Sequence, residues 1–361
     1  MDNKFKLTVI TASMHAGGAE RVISQLLHFW DKEGFELSLI LLDKEEKFYS
    51  IPESVRVFEI GRQSGNRIFD KIDRYKQVRK IVGSIRPNVV LSLPEEIGIY
   101  VLWALRHTKI PVVVSERNDP HRMPTKKITR IMRQLMYPKA KGLIFQTEAA
   151  AAFFGNKIVR KSIVLPNPLD LSRIPDIWTG ERDKVIVSAG RLEPQKNFRL
   201  LIEAFSVFYR THKDYKLIIY GEGSQRRALE ELIDRKGLSG AAQLPGVSDT
   251  LLDDIKKASV FVLSSDHEGV PNVLIEAMAL GIPSVSTDCA PGGAATVITP
   301  DTCSALVPVN DPAALSAAIS SFADNGVDVK RLIDTADIIK NRYSSETVGR
   351  AWSEYLKSVA D

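Results

Sequence analysis

Short apolar runs alternate with longer amphipathic segments along most of the chain. Leu37–Leu42, Val89–Leu93 and Pro111–Ser115 are apolar at nearly every position, as expected of strands in a sheet that is covered on both faces. The segment 67–85 between the first two runs is basic and amphipathic, which predicts a helix. This alternation of strands and helices predicts an α/β fold with a parallel, doubly wound sheet.

The same pattern is interrupted once, and the interruption predicts two domains. Pro166-Asn167-Pro168 is followed by a polar stretch without periodicity, so we place the domain boundary between residues 168 and 169. The closing segment Thr347–Val359 predicts a helix. Further strands are predicted at Phe5–Ala12, Val55–Ile60, Leu143–Gln146 and Ser162–Leu165 before the boundary, and at Val185–Ala189, Lys216–Tyr220, Val260–Leu263 and Ser284–Thr287 after it.

One loop and helix, Glu268–Pro283, have the features of an anion site. Pro271 suits the first helical position, and Gly281 suits the left-handed residue that ends a helix. The backbone N–H groups and the dipole of such a helix favour a phosphate at its N-terminus. Asn272 and Glu276 are one turn apart on its polar side, so the pattern predicts a nucleotide held by phosphate and sugar.

Two cations follow the first strand of the second domain, in Gly190–Asn197. Arg191 can hold phosphate oxygens with two hydrogen bonds, and Lys196 adds a point charge. The carboxyl ends of parallel strands are where α/β domains bind ligands. The alternative interpretation is two solvated surface cations.

These two stretches resemble motifs of one enzyme family. Glu268 and Glu276, with Gly269 after the first, resemble the E-x7-E signature of retaining glycosyltransferases of the GT-B fold. Gly190–Asn197 resembles the GR-x-x-x-x-K-N element of glycosyltransferase family 4. The resemblance implies two Rossmann-like domains that face a cleft: residues 1–168 for the acceptor and 169–344 for the nucleotide-sugar donor. It also implies that the helix at 345–361 crosses back onto the first domain.

The resemblance also assigns roles to single residues. Glu268 would contact the transferred sugar, Arg191 and Lys196 would neutralise the diphosphate, and Glu276 would accept hydrogen bonds from the ribose. No metal and no cofactor are implied, and the anomeric configuration would be retained. The remaining donor-side residues would be Gly17, Gly18, Gly190, Gly221, Val247, Gly269, Val270, Pro271 and Asn272.

The acceptor side departs from the family pattern. Many relatives have a histidine after the strand equivalent to Pro111–Ser115, whereas this chain continues with Ser115-Glu116-Arg117-Asn118. That string resembles a branch that builds bacterial surface polysaccharides and glycan precursors. It leaves Glu116, Arg117 and His121 open as acceptor-side residues, together with His15 in the glycine loop after the first strand.

The stretch from Arg122 to Lys141 holds seven basic residues and no acidic one. Its apolar residues Ile128, Ile131, Met132, Leu135 and Met136 recur at helical spacing. One interpretation is a solvated helix whose apolar side packs on its own domain. The other is a basic amphipathic helix that lies on an anionic membrane, with Lys126, Lys127, Arg130 and Arg133 facing the lipid.

Composition and charge narrow the remaining possibilities. The chain has 361 residues, 44% hydrophobic, no apolar run of 18, and two cysteines, Cys289 and Cys303. Residues 1–168 contain 28 Lys and Arg against 17 Asp and Glu, whereas residues 169–361 contain 21 against 27. The start lacks the apolar region of a signal peptide. We therefore expect a cytoplasmic protein, peripheral on the inner face of the plasma membrane, whose basic half meets an anionic partner.

The sequence is thus identified as a retaining glycosyltransferase. We expect it to move a hexose or N-acetylhexosamine from a UDP-sugar to a lipid-linked saccharide, with a polyprenyl diphosphate carrier as the expected acceptor. A GDP-mannose-dependent mannosyltransferase, a sugar-nucleotide epimerase and a non-catalytic nucleotide-sugar binding protein are the alternatives. A nucleic-acid binder is not expected, because no recognised module accompanies the basic charge.

Overall fold

The computed structural model describes residues 4–15, 17–44, 47–62 and 67–360, and the chain forms two compact units. The first comprises Met1–Pro168 and Ser345–Asp361, and the second comprises Leu169–Ser344. Met1–Asn3, at the start of the chain, and Ala16, in the predicted glycine loop, lie outside the described residues.

The first unit contains a sheet of seven parallel strands in the order β3-β2-β1-β4-β5-β6-β7. The strands are β1 (Lys6–Thr11), β2 (Glu36–Leu41), β3 (Arg56–Glu59), β4 (Val89–Ser92), β5 (Val112–Ser115), β6 (Gly142–Phe145) and β7 (Ser162–Val164). The helices are α1 (Gly18–Lys32), α2 (Arg67–Ile85), α3 (Glu95–Leu105), α4 (Lys127–Met136), α5 (Glu148–Ala152) and α6 (Asn156–Val159).

Helices cover both faces of this sheet, which is why its strands are apolar throughout. On one face Val78 of α2, Leu102 of α3 and Met136 of α4 share a buried core with alternate strand residues. On the other face, Leu26 and Trp30 of α1 share a second buried core with the remaining strand residues. Residues at odd and even positions of each strand therefore enter different cores.

The second unit contains six parallel strands in the order β10-β9-β8-β11-β12-β13. The strands are β8 (Asp183–Ala189), β9 (Lys216–Tyr220), β10 (Ala242–Gly246), β11 (Ala258–Leu263), β12 (Ser284–Thr287) and β13 (Ser304–Val307). The helices are α7 (Phe198–Phe208), α8 (Arg226–Arg235), α9 (Leu251–Ile255), α10 (Asn272–Ala279), α11 (Gly293–Val297), α12 (Pro312–Asn325) and α13 (Val329–Tyr343).

The last helix, α14 (Ser345–Ala360), belongs to the first unit. Trp352 is fully buried beside Trp30, with ring centroids 6.4 Å apart. The Trp30 Nε1 donates to Ser353 Oγ at 3.1 Å. The Tyr355 hydroxyl donates to the Lys161 carbonyl at 2.6 Å and accepts from the Leu143 amide at 3.0 Å. Helix α14 thus completes the core on the α1 face of the sheet.

Helix α10 differs slightly from the expectation at its start. Pro271 caps the helix with φ −79° and ψ 111°, so it lies outside the first turn, and Asn272 is the first helical residue. The fixed φ of proline fits both positions, and ψ decides between them. The expectation for the other end is confirmed, since Gly281 has φ +68°.

In the part of the chain that the structure describes, no helix is long and apolar enough to cross a membrane.

Candidate active site

The strand order of the second unit locates its ligand site. From β8, the chain extends the sheet first through β9 and β10 on one side and then through β11, β12 and β13 on the other. The order therefore reverses between β8 and β11. In open α/β sheets, ligands bind outside the carboxyl ends of the strands at such a reversal. Arg191 and Lys196 follow β8, and Glu268 follows β11, so these residues flank the reversal.

Hydrogen bonds tie the loop after β8 to the loop after β11. Gln195 Nε2 donates to the His267 carbonyl at 2.8 Å, and the Asp266 amide donates to the Gln195 carbonyl at 2.9 Å. Asn197 Nδ2 donates to Asp266 Oδ1 at 2.7 Å. The Asn197 backbone is left-handed, with φ 44°, and its side chain caps α7 by accepting from the Leu200 amide. The terminal Asn of the motif therefore fixes both loops.

The central contact of the site joins Lys196 to Glu268. Lys196 Nζ donates to Glu268 Oε1 at 2.5 Å, and Ser265 Oγ donates to the same oxygen at 2.9 Å. The two charged side chains are 15% and 11% exposed. Both contacts therefore fall on the same carboxylate oxygen of Glu268.

Arg191 has a different environment. It is exposed, and it forms no side-chain hydrogen bond or ion pair with the described residues. Glu193 is two positions away, but its carboxylate accepts from the Ser224 amide at 3.0 Å and from the Ser224 hydroxyl at 2.7 Å. These two bonds lower the pKa of Glu193. The positive charge of Arg191 thus remains available to an anion.

Close backbone contacts hold the loop before α10. A Cβ on Gly293, the first residue of α11, would lie 1.6 Å from the Gly269 carbonyl oxygen. Only glycine therefore fits at position 293. Gly293 is not among the site residues predicted from the sequence, although Pro291-Gly292-Gly293 shortly after the strand Ser284–Thr287 is a recognisable signal. Glu276 lies in α10 and is 4% exposed.

The loops that contain the predicted donor-side residues Gly221 and Val247 follow β9 and β10, and they lie beside the loop after β8. A Cβ on Gly221, which has φ +139°, would lie 1.9 Å from the Gly190 carbonyl oxygen. The Gly221 amide in turn donates to the Gly246 carbonyl at 2.7 Å. Val247 follows β10 and is 73% exposed. Gly190, Gly221 and Val247 are thus brought together at one edge of the sheet, whereas Gly17 and Gly18 lie in the first unit.

Among the residues that the structure describes, no group of three or more His, Cys, Asp and Glu could hold a metal ion. Cys289 and Cys303 are free and buried. Burial, and next the charge of Glu268, raise the pKa of the Cys289 thiol to about 11, so it remains protonated.

In the first unit the strand order reverses between β1 and β4. His15 follows β1 and is exposed, and Gly17 caps α1 with extended backbone angles, φ −148° and ψ 163°. Gly18 is the first residue of α1.

Glu95 begins α3, directly after β4, and is 1% exposed. Its Oε1 accepts from Asn118 Nδ2 at 2.8 Å, whereas its Oε2 has no hydrogen-bond partner among the described residues. Glu95 is not among the site residues predicted from the sequence.

The Ser115–Asn118 string forms a buried polar cluster. Arg133 of α4 donates to Glu116 Oε1 at 3.1 Å, and the Tyr137 hydroxyl donates to Oε2. Burial, and next the charge of Glu95, raise the pKa of Glu116 to about 8. Arg117 is 8% exposed and donates to Asn167 Oδ1.

This engagement favours structural roles for Glu116 and Arg117. Among the acceptor-side candidates, His15 and His121 are the exposed ones. His121 packs edge-on against the Phe153 ring at 4.5 Å between centroids.

Helix α4 turns its apolar side outward. Ile128, Ile131 and Leu135 are 64%, 46% and 57% exposed, whereas Arg133 is 2% exposed. The expectation that Arg133 faces lipid is therefore wrong, because its guanidinium pairs with Glu116. The expectation that the apolar side faces the core is wrong for the three exposed residues, since helical spacing defines a face but not its direction.

Both halves of the chain match models of known protein families. Residues 16–173 match the model described as Glycosyltransferase Family 4, and residues 174–341 match that described as Glycosyl transferases group 1. An N-acetylgalactosamine-N,N'-diacetylbacillosaminyl-diphospho-undecaprenol 4-alpha-N-acetylgalactosaminyltransferase of Campylobacter jejuni is 30% identical over 78% of this chain and 80% of its own length.

A second Campylobacter jejuni enzyme is an alpha-1,4-N-acetyl-D-galactosaminyltransferase named for the acceptor GalNAc-alpha-(1->4)-GalNAc-alpha-(1->3)-diNAcBac-PP-undecaprenol. It is 26% identical over 99% of this chain and 98% of its own length. Among solved structures, Anabaena HepE in complex with UDP aligns with a TM-score of 0.79 at 16% identity, over 98% of this chain and 100% of HepE. The predicted fold of two parallel-sheet α/β domains is confirmed, and this chain belongs to glycosyltransferase family 4, as a glycosyltransferase of the GT-B fold.

Proposed function

We propose that this glycosyltransferase moves a hexose or N-acetylhexosamine from a UDP-sugar to a polyprenyl-diphosphate-linked saccharide in surface polysaccharide biosynthesis. We propose further that it retains the anomeric configuration and needs no metal ion. The two Campylobacter jejuni relatives are named for undecaprenol-linked diphosphate acceptors, and HepE was solved with UDP. These names support the acceptor class and the donor base.

The observation that carries the proposal is the arrangement of Arg191, Lys196 and Glu268 at the strand reversal of the second unit. A departing nucleoside diphosphate gathers negative charge as the glycosidic bond breaks. Lys196, which Glu268 holds in place, Arg191, unpaired among the described residues, and the positive end of α10 can meet that charge where it develops. The bond from the anomeric carbon to the diphosphate oxygen breaks, and the acceptor oxygen bonds to that carbon from the same face. The proton of the acceptor hydroxyl passes to the departing diphosphate oxygen.

The other donor-side residues take supporting roles in this proposal. The second unit binds the donor: Glu276 accepts from the ribose, Val247 lies beside the base, and the backbone of Gly269 and Val270 approaches the sugar and the diphosphate. The first unit binds the acceptor, with His15 and His121 as the exposed candidates. Gly17 and Gly18 give the first unit a loop that a phosphate can approach closely.

The membrane surface is the second partner that we propose. Three apolar side chains of α4 are exposed on one face, and Lys126 and Lys127 at its start are exposed cations without a salt bridge among the described residues. An apolar helix face with adjoining lysines suits the surface of an anionic bilayer. A cytoplasmic enzyme held this way would work on the inner face of the plasma membrane, where a polyprenyl carrier is accessible.

Transfer assays with purified protein test the reaction. UDP-glucose, UDP-galactose, their N-acetyl forms and GDP-mannose are offered with a short-chain polyprenyl-diphosphate saccharide, and NMR gives the anomeric configuration of the product. We expect transfer from a UDP-sugar, retention, and full turnover in EDTA. Transfer from GDP-mannose alone, an inverted product, or activity that returns only with manganese would each contradict the corresponding part.

A further inference from the structure

A cavity of about 460 Å³ opens between α2 and the end of α3. Four cationic side chains line it, Lys76, Arg79, Lys80 and Arg106, together with the aromatic and apolar side chains of Tyr75, Trp103 and Ile72. No carboxylate is among its lining residues. It lies on the same side of the sheet as α4, because α2, α3 and α4 share one buried core.

The two arginines are held in place by backbone carbonyls. Arg79 Nε and Nη2 donate to the Ala104 carbonyl at 3.1 and 2.8 Å. Arg106 Nη1 donates to the Trp103 carbonyl at 2.7 Å, and its guanidinium carbon lies 4.3 Å from the centre of the Trp103 ring. Carbonyls and rings orient a guanidinium but leave its charge in place. Both charges are therefore preorganised for an anion.

The lysines of the cavity are also weakly neutralised. Lys76 has one acidic neighbour, Asp73, at 3.8 Å, and both side chains are largely exposed. Exposed pairs of this kind contribute little. Lys80 forms no ion pair with the described residues. The cavity thus presents concentrated positive charge above an aromatic wall.

One exposed apolar side chain, Ile72, lines the cavity, and a second, Phe69, lies about one helical turn before it on α2. Phe69 and Ile72 of α2 are 61% and 42% exposed, and Ile72 lies one helical turn before Lys76. Of the seven large hydrophobic side chains exposed in the described part of the first unit, five lie on α2 and α4. A ligand that fits this surface needs both a negative group and an apolar chain.

We propose that the cavity binds the phosphate of an anionic phospholipid headgroup, with Phe69 and Ile72 entering the apolar layer beside it. This inference rests on the membrane association proposed above and adds a headgroup site that is separate from α4. A free phosphate ion would use the cations and leave Phe69 and Ile72 without a role, so we commit to the lipid.

Vesicle sedimentation tests the site. Wild type and the variant Lys76→Gln/Lys80→Gln are mixed with vesicles of phosphatidylglycerol or of phosphatidylcholine. The variant should bind phosphatidylglycerol about 25-fold more weakly, which is about fivefold for each cation removed. The control Lys4→Gln/Lys357→Gln loses the same charge at exposed positions outside α2, α3 and α4, and it should bind like wild type.

Tryptophan fluorescence locates the contact. Trp30 and Trp352 are fully buried, so Trp103 dominates the response in a Trp178→Phe background. Phosphatidylglycerol with brominated acyl chains should quench Trp103, and the quenching should persist in Lys126→Gln/Lys127→Gln, which removes the two exposed lysines at the start of α4. Three results would each overturn the inference. They are equal vesicle binding by Lys76→Gln/Lys80→Gln and its control Lys4→Gln/Lys357→Gln, absence of Trp103 quenching, and release of the protein by millimolar inorganic phosphate.

These measurements are independent of the donor site. Thermal shift of wild type with UDP reports on the second unit alone. A UDP shift with equal vesicle binding by all variants would overturn the headgroup site and leave the proposed transfer reaction standing. Vesicle binding that is weakened only in Lys76→Gln/Lys80→Gln, without a UDP shift, would contradict the proposed UDP-sugar donor and leave the headgroup site standing.

Discussion

Lys196 and Glu268 stand 72 positions apart in the sequence, and their side chains meet at 2.5 Å. The pair joins the loop after β8 to the loop after β11, and Ser265 shares the same carboxylate oxygen. A lysine paired in this way has a fixed position before any donor arrives. A diphosphate then meets a cation that needs little reorganisation.

Replacing the cations should therefore slow transfer more than it weakens binding. Lys196→Ala and Arg191→Ala should each reduce kcat by roughly 10²–10³, the usual loss when a preorganised electrostatic donor is removed. Arg191→Lys should recover only part of the rate, because an ammonium cannot form the two parallel hydrogen bonds of a guanidinium. Lys216→Ala, an exposed lysine of the same unit, is the matched control. Alanine variants with wild-type kcat would contradict the role.

Glu276 provides a test of nucleotide binding. If its carboxylate accepts from the ribose, Glu276→Ala should weaken UDP binding by roughly 1.5–3 kcal/mol, the range for a charged hydrogen bond. Calorimetry measures the affinity, and a thermal melt of each variant checks that the buried position still folds. Glu276→Gln, which keeps the volume and one acceptor oxygen, should lose less. Equal UDP affinity in all three proteins would remove the ribose role.

Asn197 should affect stability first. Asn197→Ala removes the cap of α7 and the bond to Asp266, and it places a Cβ residue at φ 44°. Loss of the cap alone costs roughly 0.5–2 kcal/mol. Asn197→Gly keeps the left-handed backbone and should recover part of that loss. Urea unfolding of the two variants measures the difference, and equal midpoints would show that backbone strain contributes nothing.

The sequence could predict most strands and helices, because strands covered on both faces are continuously apolar and the helices between them are not. It could also indicate Arg191, Lys196, Glu268 and Glu276, since each lies within a short motif. It could not indicate contacts that depend on folding. Glu95 and Asn118 are 23 positions apart, and only the order of β4 and β5 brings them together.

Helix α4 shows the same limit. Its apolar spacing is visible in the sequence, but the face that turns to the core depends on what the sheet offers. The buried carboxylate of Glu116 accepts Arg133, and that pairing turns Ile128, Ile131 and Leu135 outward. Burying the Arg133 charge without a partner would cost more free energy than exposing an isoleucine side chain to water. Periodicity carries no information about this competition.

The pKa of Glu116 predicts a pH dependence of stability. The pKa rises from 4.5 to about 8 on folding, so the folded state holds a proton that the unfolded state releases between these values. The stabilisation is complete below pH 4.5 and is lost as the pH rises to about 8. The slope is at most about 1.4 kcal/mol per pH unit. Hydrogen exchange of β5 and β6 measures it, and Glu116→Gln should flatten the profile. An unchanged slope in that variant would contradict the assignment.

Substitutions of the exposed lysines and of the buried Arg133 of α4 should affect different properties, vesicle binding in the first case and stability in the second. Lys126→Gln/Lys127→Gln should weaken binding to acidic vesicles by about 1 kcal/mol per cation and leave stability unchanged. Ile128→Ser/Ile131→Ser should also weaken it, through lost apolar contact. Arg133→Gln should instead destabilise the first unit by roughly 1–3 kcal/mol, because it leaves the buried Oε1 of Glu116 without its hydrogen-bond donor. Wild-type vesicle binding by both surface variants would exclude α4 as the contact.

The position of α14 has a consequence for synthesis. The strands of the first unit leave the ribosome first, yet Trp30 stays uncovered until Trp352 has been made. The second unit, whose ends meet where the Leu169 amide donates to the Tyr343 carbonyl at 2.6 Å, can close in the interval as an independent body. The nascent chain must therefore carry an open apolar face through the translation of a whole domain. A stop codon or a stall before α14 would leave a sheet whose strands have all been synthesised. The apolar face that α14 covers would then remain exposed and prone to aggregation.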